Sequence, residues 1–231
     1  MMALGVLLAA TWILITHAQG IRRPRLASTP SRSGSTTTHA LPTTTILPST
    51  TTTTGPGALP QTGAFPSTSD PSFTAKMEDL WNGVSGGTSQ STLPAFLPEA
   101  AYIQLKAIGN AQADYTGRLV TEYEDDVIAA HALLRSGASA ASLISVNVDS
   151  GFSHWVPPGT CYNRVGYFEV PNSRIVYAAD GQVSSFGIAS MISWRGEWYI
   201  VHLGAVLPSG SGGEVDDPQS RPGSPAYSST C

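Results

Sequence analysis

Val165 to Leu203 reads VGYFEVPNSRIVYAADGQVSSFGIASMISWRGEWYIVHL, and this stretch decides the fold. Runs rich in Val, Ile, Tyr, Phe and Trp are interrupted at Pro171-Asn172-Ser173, at Asp180-Gly181 and at Arg195-Gly196. Turn-forming residues set between β-branched and aromatic runs predict hairpins, here four strands joined by three tight turns. The stretch is a scaffold and carries no catalytic motif.

Upstream, Phe73, Met77, Leu80, Trp81 and Val84 recur at helical spacing, and Gly86-Gly87 closes that stripe. A second helix is expected to start near Leu93 or, because proline suits a first turn and is costly deeper, at Pro98, and to run through Lys106. A third runs from Tyr115 to Leu134, with Leu119, Tyr123, Val127, Ile128 and His131 on its inner side. Alternation in Leu143–Val148 and the residues Phe152–Val156 predict two strands ahead of the main run. Helices first and antiparallel strands afterwards define an α+β class, with N-terminal helices packed on a curved antiparallel meander.

Composition sets the boundaries. Residues 1–20 form an apolar start segment, MMALGVLLAATWILI followed by a small-residue site at Ala18. It reads as a secretory signal peptide or, if uncleaved, a membrane anchor. Residues 21–71 are dense in Ser, Thr and Pro, and residues 209–231 in Gly, Ser and Pro. Both tracts are expected to be disordered, because they hold too little apolar surface to offset their ordering entropy. The tract at 21–71 reads as a stalk or spacer. The domain is therefore placed at 72–208.

That domain carries seven Lys or Arg against twelve Asp or Glu, a net charge of −5. Nucleic-acid binding needs clustered basic residues, so it is set aside. Glu122, Glu124, Asp125 and Asp126 are the densest charge cluster, read as a solvated helix face. No metal site and no cofactor are expected. Cys161 and Cys231 are the only cysteines, and an exported protein would use them for one disulfide tying the tail to the domain.

The usual catalytic signatures, G-x-S-x-G, H-E-x-x-H, S-x-x-K and C-x-x-C, are missing from the sequence. The residues best placed to line a pocket are Trp198, His202, Tyr177, Phe186 and Trp194. His202 is the one candidate general base. Because Arg at φ > 0 is strained and Gly is not, a three-residue loop with Gly196 in the left-handed region is expected, setting His202 across from Ile188. A two-residue loop would set it across from Ala189. His154-Trp155, beside Pro157-Pro158-Gly159, is read as loop packing, with the rim of a site or the site itself as the alternative.

The order LWNGVSGGTSQSTLPAFLPEAAYIQLKAI, a further helix, then strands ending SMISWRGEWYIVHLG resembles the NTF2-like (cystatin-like) α+β cone over about residues 73–205. More narrowly it is similar to exported actinobacterial proteins with such a domain, and two Lys against ten Arg agrees with a high-GC genome. The resemblance implies a helical layer seated in a curved sheet. It also implies a pocket that serves isomerases, dehydratases and hydrolases in some relatives and non-catalytic binding in others. The Asp–His pair common in those enzymes has no motif here to carry it over. The function expected is an extracytoplasmic, cell-surface-tethered, non-enzymatic module binding a small apolar ligand, a wall component or a protein partner. The alternative is an isomerase- or hydrolase-like enzyme with His202 as general base in an aromatic pocket.

Overall fold

The computed structural model describes residue 55, residues 57–204 and residues 213–224. The apolar start segment, most of the Thr-rich tract and Cys231 lie outside the described residues. No free cysteine occurs among the described residues. No helix there is long and apolar enough to cross a membrane.

Helix α1 spans Pro71–Gly86. Asp70 caps it by accepting the Ser72 N–H, Pro71 sits where an N–H would be unsatisfied, and Gly87 ends it at φ 66°. Its apolar stripe is buried as the spacing predicts. The second helix begins after Pro98, the later of its two expected starts. Gln90–Ala95 is a 3-10 turn, Phe96 is extended, and α2 is confined to Glu99–Leu105 with Pro98 as its N-cap. The cause is tertiary: Phe96 bridges Ile200 in parallel, and the Leu97 N–H donates to the Ile200 carbonyl at 3.1 Å.

Helix α3, Ala111–Asp114, continues through a π-helical turn at Tyr115–Leu119 into α4, Val120–Leu133. The buried side carries Leu119, Tyr123, Asp126, Val127 and Ala130. Ile128, expected inside, is 57% exposed. Asp126, expected in solvent, holds its place in the stripe, three residues after Tyr123.

Six strands follow among the described residues: β1 Ser142–Asn147, β2 His154–Val156, β3 Tyr167–Ala179, β4 Gln182–Trp194, β5 Glu197–Leu203 and β6 Gln219–Ser220. Their order is β1-β3-β4-β5, with β2 also on β3 and β6 on β4, every pairing antiparallel. The helices precede a curved antiparallel sheet, which is the α+β architecture expected.

Two turn expectations are corrected. Pro171-Asn172-Ser173 does not reverse the chain, since Pro171 pairs with Ser190 and Ser173 with Ile188 in one unbroken register. Asn172 at φ 53° bends the strand without ending it. Proline is tolerated here because β2 pairs only 169 and below and β1 only 174 and above, leaving no ladder on that side to break. The main run is therefore three strands with two turns.

Arg195-Gly196 is a two-residue turn, with Trp194 opposite Glu197 and both turn residues at positive φ, 55° and 82°. Gln61 supports the strained Arg195: its Oε1 accepts the Arg195 N–H at 2.6 Å and its Nε2 donates to the Ser193 carbonyl at 2.8 Å. Two compensating register shifts between Ile188 and Met191 then move His202 opposite Ser190, so neither expected partner is correct. Such bulges add twist and curvature.

Residues on either side of 72–208 also pack onto the domain. Within residues 57–70, Gln61 braces that turn and Phe65 packs edge-on against Phe168 and Trp198, at 4.9 and 5.8 Å between ring centroids. Residues 213–224 include β6, and Asp217 accepts from the buried Arg174 side chain through its backbone carbonyl at 3.0 Å. Both stretches belong to the fold.

Candidate functional site

The five aromatic and histidine positions singled out by the hairpins do not converge. Tyr177 and Phe186 lie together, 5.9 Å between ring centroids, with Trp81 of α1 packed 5.6 Å from Tyr177. They are core at one end of the sheet. Trp198 is buried and, like the half-buried Phe168, packs against Phe65. Trp194 is also buried, yet it borders an open groove. His202 is buried beside α4, where its Nδ1 stands 3.5 Å from Asp126 Oδ2.

A polar row crosses the sheet where the aromatic pocket was expected. His154 on β2 pairs with Glu169 on β3, and Ser190 on β4 donates to Glu169 Oε1 at 2.8 Å. Ser190 in turn pairs with His202 on β5, which faces Asp126 on α4. Burial holds the Glu169 carboxyl above the usual carboxylate range, against the pull of Ser190, His154 and Lys106. Burial likewise lowers Lys106, whose ammonium donates to the Cys161 carbonyl at 3.2 Å.

His154 Nδ1 lies 3.1 Å from the Phe152 carbonyl, which can only accept, so that nitrogen carries a proton. Its Nε2 faces Glu169 Oε2 at 3.5 Å, and neither atom has a hydrogen-bond partner. At the other end the Asp126 carboxylate accepts the Leu203 N–H at 3.1 Å and the Gly213 N–H at 3.0 Å. Asp126 is a clamp between helix and sheet. The row is not a relay, because His202 Nδ1 has no hydrogen-bond partner.

Accessible chemistry lies elsewhere. A groove of about 650 Å³ is bounded by Pro60–Gly63, Gln104 on α2, Pro158, the Arg164–Gly166 segment, Trp155 and Trp194. Trp155 is 42% exposed and its ring is held edge-on against Phe168, 4.9 Å between centroids. Gly166 lets it lie flat: a Cβ there would fall 2.2 Å from Trp155 Cζ2. The Trp194 indole N–H is buried and unpartnered. Arg164 is exposed and makes no ion pair among the described residues. Neither this groove nor the two smaller depressions beside Thr68 is lined by His154, Glu169 or His202.

Sequence reasoning singled out Trp194 and passed over Trp155, Arg164, Gly166, Gln61 and Gln104. The available signal was His154-Trp155 next to Pro157-Pro158-Gly159, a large aromatic in an irregular loop. No cluster of metal-binding side chains occurs among the described residues. In comparisons with protein-family models, curated proteins and solved structures, nothing matches this chain.

Proposed function

We propose that this chain is an extracytoplasmic, tethered binding module of NTF2-like build. Its ligand seat is the groove beside Trp155 rather than the interior of the cone. One observation carries the reading. On the side of the sheet that would form a catalytic pocket Tyr167, Ile192, Trp194 and Tyr199 are all buried, while Trp155 stands exposed at an open groove. The apolar start segment and the Thr-rich tract support a tether at the cell surface. A disulfide between Cys161 and Cys231 would be worth about 4 kcal/mol in the chain-entropy model, and non-reducing peptide mapping tests it.

The enzymatic alternative has less support. His202 is 8% exposed and lines none of the three depressions, and both Asp126 oxygens are engaged by backbone N–H groups. A base needs reach to a substrate proton before its basicity matters.

The test is cosedimentation of the full chain with insoluble cell-wall polysaccharide from the producing cells. Wild type is expected in the pellet and Trp155→Ala in the supernatant. Equal partition of the two proteins refutes the groove as the seat.

A further inference from the structure

The chemistry of the groove narrows its ligand. Its polar side chains include the Arg164 guanidinium, which only donates, and the Thr62 hydroxyl, which donates or accepts. Gln104 contributes less, because its amide nitrogen is spent on the Gly57 and Ala100 carbonyls, at 2.7 and 3.1 Å. Gln61 is likewise spent on Ser193 and Arg195. No Asp or Glu lines the groove, in a domain whose net charge is −5.

An unpaired guanidinium is suited to bidentate contact with a carboxylate. Beside these donors lies the Trp155 ring, large, rigid and backed by Phe168, a platform for an apolar ring face. A shallow groove open to water suits a ligand that keeps much of its own hydration. A ring with one apolar face, several acceptor oxygens and a carboxylate is an acidic sugar.

We infer that the groove binds carboxylate-bearing carbohydrate, with the sugar ring on Trp155 and the carboxylate on Arg164. This rests on the groove being the ligand seat, and it adds the charge and class of the ligand. Charge complementarity sets the preference, because Arg164 makes no ion pair among the described residues and no Asp or Glu lines the groove.

Isothermal titration of the full chain with a trigalacturonate and with its carboxyl-reduced neutral counterpart tests the assignment. The acidic probe is expected to bind at least about tenfold tighter, and the gap to shrink at high salt. Arg164→Gln, at an exposed position whose backbone contacts remain, should bring the two affinities together. Trp155→Ala should weaken both probes. Equal affinities in wild type, an Arg164→Gln protein that keeps the preference, or no binding of either probe each overturn the assignment. Wall binding that depends on Trp155 but is indifferent to carboxyl reduction would overturn this inference alone. Failure of Trp155 to matter in either assay would remove the groove itself.

Discussion

The Asp126 carboxylate on α4 accepts the backbone N–H of Leu203 at the end of β5, 3.1 Å away and out of contact with water. Its second oxygen accepts from Gly213, so one side chain joins the helical layer, the last long strand and the returning tail. Asp126→Asn keeps the shape but offers only one acceptor oxygen and turns an amide donor toward a backbone donor. A buried N–H left without its acceptor costs about 1–3 kcal/mol. Urea unfolding should show that loss, and a variant as stable as wild type would refute the clamp.

Glu169 gives a pH signature. Burial raises its carboxyl in the folded protein, so between the unfolded and folded values the folded state binds more protons. The stability it contributes is therefore full below the unfolded value and is lost as pH rises through the folded value. Glu169→Gln keeps an acceptor for Ser190 and has no charge to bury. Its melting temperature relative to wild type should rise from mildly acidic to neutral pH, with the variant at or above wild type at pH 7. A difference independent of pH would show that the Glu169 charge is not penalised.

Gly166 underlies Trp155 so closely that a methyl group has nowhere to go. Gly166→Ala should cost about 1–3 kcal/mol by overpacking or push the indole outward. The second outcome raises acrylamide quenching of Trp155 fluorescence, and either one weakens ligand binding at the groove. A variant with wild-type stability, quenching and binding would show that Trp155 does not need the flat seat.

How far the sequence was legible follows from these residues. Periodicity located α1 and the long strands because each depends on its own apolar pattern. It failed where distant partners decide: Phe96 is extended because Ile200 is beside it, and Arg195 accepts a positive φ because Gln61 holds its N–H. Asp126 looked like solvated charge because a one-dimensional cluster does not say which member faces Leu203. The groove was illegible for the same reason. Its walls come from residues 60–63, 104, 155–166 and 194, which no local spacing relates.

The segment before α1 yields the sharpest contrast with a compositional reading. A spacer tolerates substitution anywhere, whereas a packed strap does not. Phe65 is 52% exposed, yet it makes edge contacts with Phe168 and Trp198. Phe65→Ala should cost about 1–2 kcal/mol, from lost apolar burial and two aromatic contacts. Gln61→Ala should cost about as much, since it removes the acceptor that steadies Arg195 and the donor to Ser193. Leu59→Ala, at a residue 47% exposed with neither role, serves as the neutral comparison. Thermal melts of the three full-length variants decide the matter. Three equal melts would return residues 57–66 to the spacer, and with them one wall of the groove.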